Sequence, residues 1–506
     1  MQFFSYLSDT EVEYVHQASL EILDQTGMLV RNEKARKRFA KHGCRVDHTS
    51  QLVTFPPAVI EEFRAMLPPT MTFRGRDPDL DVTFPRKLPV IATTGSAPDI
   101  VDPVSGITRR ARSDDLARIA HLVNQLPGYD LFSISTLADD APKDQFSLSR
   151  WYPALKNCVK PCRTNVYDLR EAEQMFKLGE LIAGSKKAYR ERPFINFGYC
   201  PIVSPLTMDF DSTEMLMFFA ENDATSYGTV CPMGGISTPM SLVGMLTLMN
   251  AEWLAAAVLA QMSKPGTGQI YNFLPVFADM RDGAYSPGAI EVGMMTSAVS
   301  QMARFYNVPS GGYLGLTNSK VNDAQAGFEK GMSPLLAALS GVDFIVMGGQ
   351  LDALMSFDFA QVVIDNEIAL MIKRARDGFG FSDESMALDV QEIKDTGPAG
   401  MFAGNPGTLK RMHTATFLPE MADRKIREQW EEDGSSNIHQ RALNYARTIL
   451  AEPNLAAFDA ETDARVRAGF DGLVAGDSIL PDGWRAFDIG TGKPTRQRRP
   501  SRRRGR

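Results

Sequence analysis

The chain has 506 residues, 44% hydrophobic and 23% charged, which is enough for a large core and for more than one average domain. Its formal net charge of −7 is unevenly distributed, because residues 496–506 hold seven arginines and no acid. Five cysteines, an odd number, argue against a disulfide framework, and the acidic N-terminus argues against a secretory signal, so we expect a cytoplasmic protein.

The N-terminal residues predict a region of their own. Ser8 and Glu11 have the spacing of a capping box, which predicts a helix that begins there and ends near Gly27. Residues 28–89 mix short strands and helices with proline-rich turns. We therefore predict an N-terminal α/β accessory region over residues 1–89.

From residue 90 onward, short runs of β-forming residues alternate with helical patterns. Eight runs are predicted as strands, at residues 90–94, 131–136, 163–167, 195–200, 226–231, 269–273, 312–316 and 344–348. This alternation predicts parallel βαβ units, and eight units match a (β/α)8 TIM barrel over residues 90–376. An open doubly wound sheet is the alternative, although no GxGxxG motif follows the first strand. The most apolar stretch, residues 251–262, is too short to span a bilayer.

The last part of the chain predicts an extension of the barrel. Residues 377–485 are predicted as a C-terminal helical extension with a helix near residues 438–451. Residues 486–506 form an arginine-rich tail, which we predict to be disordered. Binding of this tail to nucleic acid or to an anionic partner is the alternative.

Candidate metal ligands are sparse. Cys158 and Cys162 are four residues apart, but no second cysteine pair and no nearby histidine completes a zinc site. We therefore predict no tightly bound metal.

In a (β/α)8 barrel the active site lies at the carboxyl ends of the strands. Aromatic and amide side chains, rather than histidines, occupy these predicted ends, which argues against a histidine base or a histidine-bound catalytic metal. Tyr199, Tyr271 and Tyr313 are placed to attract a cation through their ring faces. The alternative is that these rings only fill the barrel mouth.

Two loops after predicted strands carry further candidates. Gly234 and Gly235 follow the fifth strand and permit a sharp turn with close approach of a ligand or partner, although a simple tight turn needs the same residues. Lys320 follows the seventh strand and is a candidate imine-forming lysine; a surface lysine is the alternative.

Several of these stretches together resemble the trimethylamine methyltransferase family, in its branch without pyrrolysine. The similarity is carried by residues 231–239 (CPMGGISTP) and 317–329 (TNSKVNDAQAGFE). Residues 20–27 (LEILDQTG), 102–106 (DPVSG) and the Met412-His413-Thr414 segment also resemble it. The likeness extends over roughly residues 8–450.

The resemblance implies a (β/α)8 barrel enzyme that passes a methyl group to the cobalt of a small corrinoid protein. It also implies one-carbon metabolism of the methanogenesis type. Because this sequence contains only standard residues, the resemblance favours a substrate that is already quaternary. Glycine betaine is the first candidate, and proline betaine, carnitine and related compounds are the alternatives. Under this reading the chain binds no cofactor tightly, the corrinoid (methylcobalamin) stays on the partner protein, and we expect a homo-oligomer.

The same reading gives the strand-end residues roles. Residues predicted to face the ammonium group are Tyr199, Tyr271, Phe273 and Tyr313. Residues predicted to orient the substrate are Asn272, Gln325 and Gln350. Asp323 and Glu329 are predicted to balance charge as catalytic groups, or alternatively to brace Lys320 or a helix start. Residues predicted to face the corrinoid are Gly234, Gly235 and Ser319.

Two other classes of function stay open from the sequence. One is a lyase or aldolase that forms an imine at Lys320, which borohydride trapping would reveal. The other is a betaine-binding protein without turnover, because fold alone does not determine function.

Overall fold

The N-terminal region combines short helices and strands. The computed structural model describes residues 3–142, 145–474 and 476–487. The capping box is confirmed, since the Ser8 backbone N–H donates to Glu11 Oε2 at 2.8 Å and the Glu11 N–H donates to Ser8 Oγ at 3.3 Å. The elements are α1 (Asp9–Gln25), β1 (Met28–Val30), α2 (Glu33–Lys41), β2 (Arg45–Asp47), β3 (Leu52–Thr54), α3 (Pro57–Arg64), β4 (Met71–Phe73) and β5 (Val82–Phe84).

The middle of the chain alternates strands and helices, as predicted. Its first half contains β6 (Val90–Ala92), β7 (Asp99–Val101), β8 (Thr108–Arg110), α4 (Ser113–Gln125), β9 (Phe132–Ser133), α5 (Leu148–Asn157), β10 (Cys162–Asn165), α6 (Leu169–Ile182), α7 (Lys186–Glu191), β11 (Ile195–Tyr199), β12 (Ile202–Val203), β13 (Thr207–Met208), α8 (Phe210–Glu221) and β14 (Ser226–Gly228). Its second half contains β15 (Met233–Gly234), α9 (Leu242–Ser263), β16 (Tyr271–Phe273), β17 (Val276–Asp279), β18 (Ala284–Ser286), α10 (Ile290–Tyr306), β19 (Ser310–Tyr313), α11 (Ala324–Leu339), β20 (Phe344–Val346), β21 (Gln350–Leu351), β22 (Ser356–Phe357) and α12 (Phe359–Asp377).

Eight of these strands form two parallel sheets of four. One sheet has the order β14-β11-β10-β9 and the other has the order β16-β19-β20-β6. Each of the eight predicted runs overlaps one of these strands. The third strand begins one residue and the seventh begins two residues before its predicted start, at Cys162 and Ser310. The domain is therefore a mixed α/β structure with parallel strands.

The two sheets share one apolar cluster, which we use to define their inner face. Its members include residues of both sheets and of the β4–β5 hairpin: Phe73, Phe84, Val90, Ala92, Leu131, Tyr227, Ile270, Tyr313, Phe344 and Val346. Phe84 of the hairpin stacks on Phe344 with ring centroids 5.9 Å apart. The hairpin thus packs against Phe344, the first residue of β20, at the end of the cluster opposite the carboxyl ends of the strands.

Five helices follow α12 along the described part of the chain. They are α13 (Asp383–Thr396), α14 (Pro406–Arg411), α15 (Arg427–Glu432), α16 (Ile438–Ala451) and α17 (Ala460–Gly469). Helix α16 packs on α12 and α4, and α17 packs on α6. Most of the predicted basic tail, from residue 488 onward, lies outside the described residues.

Helix α9 is long and apolar enough to cross a membrane by length and composition. In this protein 83% of its apolar window is buried inside the structure, as in the core helix of a globular protein.

Candidate functional site

A buried guanidinium lies on the inner face near the carboxyl ends of the strands. Arg163 of β10 is 2% exposed, and its Nε donates to Ser133 Oγ at 2.9 Å. Its Nη2 donates to the Tyr313 hydroxyl at 2.5 Å, and its Nη1 donates to the Tyr227 hydroxyl. Strands β9, β10, β14 and β19 therefore converge on one cation.

The two phenols around Arg163 are neutral. Burial raises the pKa of both Tyr227 and Tyr313, although the Arg163 charge opposes this rise. The guanidinium carbon also lies 5.3 Å from the Tyr227 ring centroid and 5.5 Å from that of Tyr313. These rings thus hold Arg163 by cation–π contact, so one face of each ring is already occupied by a cation.

Two buried amides line the same end of the strands. Asn272 Nδ2 donates to Thr229 Oγ1 at 2.8 Å, and Gln350 Nε2 donates to the Ser135 carbonyl at 2.8 Å. The carbonyl oxygens of both amides are buried and have no hydrogen-bond partner. Buried oxygens of this kind are normally satisfied, so they are available to a bound molecule.

A pair of thiols stands at the ends of two neighbouring strands. Cys200 follows β11 and Cys231 follows β14, and Asn165 Nδ2 lies 3.9 Å from Cys200 Sγ. A hydrogen bond with Cys231 and the positive charge of Arg163 lower the pKa of Cys200, although burial opposes this.

A second buried guanidinium, Arg150 of α5, lies beside β10. It is 1% exposed, and its Nη2 donates to Ser96 Oγ at 2.8 Å and to Thr164 Oγ1 at 2.5 Å. Its Nε and Nη1 are buried without a partner. Burial, with a smaller contribution from the Arg163 charge, lowers the pKa of Arg150.

Three aromatic residues predicted to form a cation cage point away from this site. Tyr199 packs on Phe219 of α8 at 5.9 Å between ring centroids. Tyr271 donates through its hydroxyl to Asn250 Oδ1 of α9 at 2.8 Å, and Phe273, two residues on, packs against its ring at 4.6 Å. These rings belong to the layer between strands and helices, because alternate residues of a strand face opposite sides. Of the predicted cage, the structure brings only Tyr313 to the inner face, next to Asn272 and Gln350.

The predicted acidic residues brace the loop after β19. Glu329 accepts from Thr317 Oγ1 at 2.5 Å, from the Asn318 N–H at 2.9 Å and from Gln325 Nε2 at 3.0 Å. Asp323 is exposed and caps α11 by accepting from the Ala326 N–H at 3.0 Å. Asp323 therefore braces a helix start, as in the alternative, whereas Glu329 braces the Thr317–Asn318 loop rather than Lys320.

The remaining loop candidates lie at the rim. Ser319 is buried, and its Oγ donates to Asp323 Oδ1 at 2.9 Å. The Lys320 side chain is 69% exposed, and its ammonium lies 3.4 Å from Asp352 Oδ1. A solvated, ion-paired ammonium is a poor imine-forming nucleophile.

The two glycines after β14 open a small separate sheet with the order β15-β17-β18. Gly235 has φ of +85°, a conformation that favours glycine. Exposed apolar side chains surround this turn: Ile236, Met240, Val243 and Met280. The turn therefore presents an apolar edge beside the carboxyl ends of the strands.

Sequence reasoning missed four residues of this site: Arg150, Arg163, Tyr227 and Tyr285. Arg163 begins the third predicted strand, and its two-residue spacing from Asn165 could have placed it on the same face. Tyr285 is half-buried on β18 and packs against the inner cluster, because the β17–β18 hairpin folds back over the strand ends. Nothing in the local sequence predicts that fold-back.

Candidate metal ligands do not cluster in the part of the chain that the structure describes. No group of three or more His, Cys, Asp and Glu residues there is arranged to hold a metal ion. None of the six histidines lies on any of the eight parallel strands. His439 of α16 instead forms a hydrogen bond with the Asn322 side chain, with 2.6 Å between Nδ1 and Oδ1. The absence of bound metal stays a prediction.

Comparisons with known proteins identify one family. The model of a family described as trimethylamine methyltransferase (MTTB) matches residues 1–470. Trimethylamine methyltransferase MttB of Desulfitobacterium hafniense (strain DSM 10664 / DCB-2) is 30% identical over 443 residues, which cover 88% of each chain. Glycine betaine methyltransferase of Desulfitobacterium hafniense (strain Y51) is 30% identical over 468 residues, or 92% of this chain and 96% of that protein.

More distant matches are also found. Trimethylamine methyltransferase MttB of Methanosarcina thermophila is 27% identical over 467 residues, or 90% of this chain and 94% of that protein. Among solved structures, dihydropteroate synthase from Thermus thermophilus covers 56% of this chain and 95% of its own, at 13% identity. Its TM-score of 0.32 is too low to support an argument about the fold.

Proposed function

Because the chain belongs to the trimethylamine methyltransferase family and is a methyltransferase, we propose that it moves a methyl group from a quaternary amine to the cobalt of a corrinoid-binding protein. The main support for the proposal is the set of residue types at the carboxyl ends of the strands. They hold buried amides, phenols and arginine, and no histidine lies on the strands.

Such a site suits this chemistry. A quaternary nitrogen already carries the charge that makes its methyl group electrophilic, and it leaves with its electron pair as a neutral tertiary amine. No general acid is therefore required, and the protein's task is to orient and desolvate the substrate. The partner's cobalt(I) is the methyl acceptor, so this chain needs no tightly bound cofactor.

We propose that the eight parallel strands close into a (β/α)8 barrel. Two isolated parallel bridges support closure, because Ala92–Leu131 connects β6 to the start of β9 and Val230–Phe273 connects the end of β14 to β16. These bridges join the two four-stranded sheets at both edges. The shared inner cluster supports the same arrangement.

We propose that the ammonium group lies at the outer end of the barrel lumen, facing Tyr285. The unpartnered carbonyl oxygens of Asn272 and Gln350 provide negative partial charge toward the methyl groups. Tyr285 is half-buried, and no Lys or Arg of the described residues lies over its ring, whereas Arg163 lies over the rings of Tyr227 and Tyr313.

We propose that the corrinoid protein docks at the apolar edge around Gly234 and Gly235, beside Ser319. Exposed apolar side chains grouped on one surface are typical of interaction sites. We further place the protein in the cytoplasm, consistent with five free cysteines and no disulfide among them.

The proposal is tested with the purified chain, glycine betaine and a corrinoid protein reduced to cobalt(I). We expect the absorbance of methylcobalt(III) to appear together with dimethylglycine, and little reaction with trimethylamine. Failure with every quaternary amine, together with tight betaine binding, would favour the binding-protein alternative. If trimethylamine were the best substrate, the proposed substrate class would be wrong.

A further inference from the structure

Arg163 is a buried cation without an acidic partner. Its three hydrogen bonds go to neutral hydroxyls, and it forms no ion pair with any Asp or Glu of the described residues. The fully buried Lys330, by contrast, pairs with Asp365 at 3.0 Å. The buried Lys160 also lacks an acidic partner, but its ammonium donates to three backbone carbonyls, whereas Arg163 meets only hydroxyl groups. An unpaired buried charge is costly, so a protein that retains one has a reason for it.

The groups around Arg163 do not supply the missing anion. Tyr227 and Tyr313 are neutral, and the nearby Arg150 adds a second buried positive charge. Glu171 is the one acid that interacts electrostatically with Arg150 among the described residues. Its carboxylate already accepts hydrogen bonds from Ser147 Oγ at 2.6 Å and from the Tyr167 N–H at 2.9 Å. The remaining ionisable neighbours of Arg163 are the thiols of Cys200 and Cys231.

Arg163 also has donors to spare. A guanidinium carries five N–H groups, and the three observed bonds use one each at Nε, Nη1 and Nη2. One N–H therefore remains on each of Nη1 and Nη2. Two such donors on one planar group match the two oxygens of a carboxylate.

We propose that Arg163 anchors the carboxylate of the amine substrate, so that the site selects betaines over trimethylamine and choline. This inference rests on the proposed function and specifies its substrate class. With its carboxylate held inside the lumen by Arg163, a betaine places its ammonium group outward, toward Tyr285. The methyl groups then face the opening from which the corrinoid protein must approach.

The test is calorimetric binding of three probes, without the corrinoid partner. Glycine betaine carries both charges, 3,3-dimethylbutanoate has the same shape but only the carboxylate, and choline has only the ammonium. We expect choline to bind the native chain roughly 10- to 100-fold more weakly than glycine betaine, as expected for a lost hydrogen bond to a charged group. We expect 3,3-dimethylbutanoate to retain measurable affinity.

Variants of two residues identify the anchor. Arg163→Met should weaken 3,3-dimethylbutanoate roughly 10- to 100-fold and leave choline unchanged. Arg163→Lys keeps the charge but loses the planar guanidinium, so it should lower the affinity for 3,3-dimethylbutanoate by less. This variant replaces Arg163→Met in the test if Arg163→Met does not fold. Cys200→Ser should keep the preference for carboxylates, because the anchor is the guanidinium. Thermal unfolding of each variant checks that it is folded.

The outcomes separate this inference from the proposed function. If native protein binds choline as tightly as glycine betaine, or if both Arg163 variants keep the native preference, the anchor is wrong even where methyl transfer occurs. If 3,3-dimethylbutanoate binds through Arg163 but no methyl reaches cobalt(I), the anchor stands and the methyl-transfer proposal fails.

Discussion

At the scale of single residues, the site depends on which face of each strand a side chain occupies. Asn272 lies inside, whereas its neighbours Tyr271 and Phe273 pack in the helix layer. Arg163 and Asn165 share the inner side of β10 in the same way, two residues apart. A substitution on the inner face at the carboxyl ends of the strands should therefore change substrate binding, and one on the outer face should change stability.

Tyr285 provides a test of the ammonium position. Tyr285→Leu keeps an apolar side chain but removes the ring, so a loss of about 1–2 kcal/mol should lower kcat/KM for glycine betaine roughly 5- to 30-fold. Tyr285→Phe keeps the ring and should stay near native activity. Tyr14→Leu, at an exposed tyrosine of α1, is the matched control. Full activity of Tyr285→Leu would remove this residue from the site.

Glu252 of α9 predicts a pH dependence of stability. It is fully buried, and burial raises its pKa to about 7, although bonds from Ser204 Oγ and the Leu206 N–H oppose the rise. The folded chain therefore binds this proton more tightly than the unfolded chain. Folding stability should fall as the pH rises from the unfolded pKa through about 7.

The measurement is urea unfolding of native protein and Glu252→Gln at several pH values. Between roughly pH 5.5 and 8.5, native protein should lose about 2 kcal/mol relative to the variant, as one pKa unit corresponds to about 1.36 kcal/mol. A constant difference between the two proteins across this range would contradict the raised pKa.

At the scale of elements, the β4–β5 hairpin and the β17–β18 hairpin occupy opposite ends of the strands. The first places Phe73 and Phe84 in the inner cluster, and the second brings Tyr285 over the carboxyl ends. The first hairpin therefore contributes to stability, and the second shapes the site.

Substitutions in the β4–β5 hairpin should lower the stability of the fold without changing substrate specificity. Phe84→Ala removes a fully buried ring that stacks on Phe344 and should lower the free energy of unfolding by about 3–5 kcal/mol. Phe84→Leu fills most of the space and should cost about 1 kcal/mol. Urea unfolding midpoints measure both variants. Equal midpoints for native protein and Phe84→Ala would mean that the hairpin does not support the core.

At the scale of the whole molecule, composition and surface predict the behaviour in solution. The chain has an acidic body, helices around parallel strands and an extension with many exposed apolar side chains. Among them are Phe379, Phe381 and Met401.

This exposed surface leads us to expect a homo-oligomer. Exposed apolar patches of this kind are typical of interfaces. Sedimentation velocity of the native chain should give a mass above 55.8 kDa, and changing Phe379, Phe381 and Met401 together to serine should shift the distribution toward the monomer. A native chain that sediments as a monomer at all concentrations would contradict the expectation.

The absence of clustered ligands in the described residues leads to a prediction about metal content. Elemental analysis of protein purified without added metal should find far less than one zinc or iron per chain. A stoichiometric metal would contradict both this prediction and the proposed mechanism without a resident metal.

The sequence by itself determined the order of strands and helices in the central region. It did so because hydrophobic periodicity acts over a few neighbouring positions. The Ser8 capping box predicted the start of α1 in the N-terminal region for the same reason. It also argued against a histidine-based site, and it revealed the family through the motifs at residues 231–239 and 317–329.

Only the tertiary structure decided which side chains form the site. The parallel strands are covered on both faces, so apolar residues occur on both, and polarity does not show which face is inner. Tyr271 was therefore predicted inside although it lies outside, and Arg163 went unnoticed although it lies at the centre. Tyr285 joins the site through a hairpin that folds back over distant strands, and contacts between parts far apart in the chain are decided by packing rather than by local sequence.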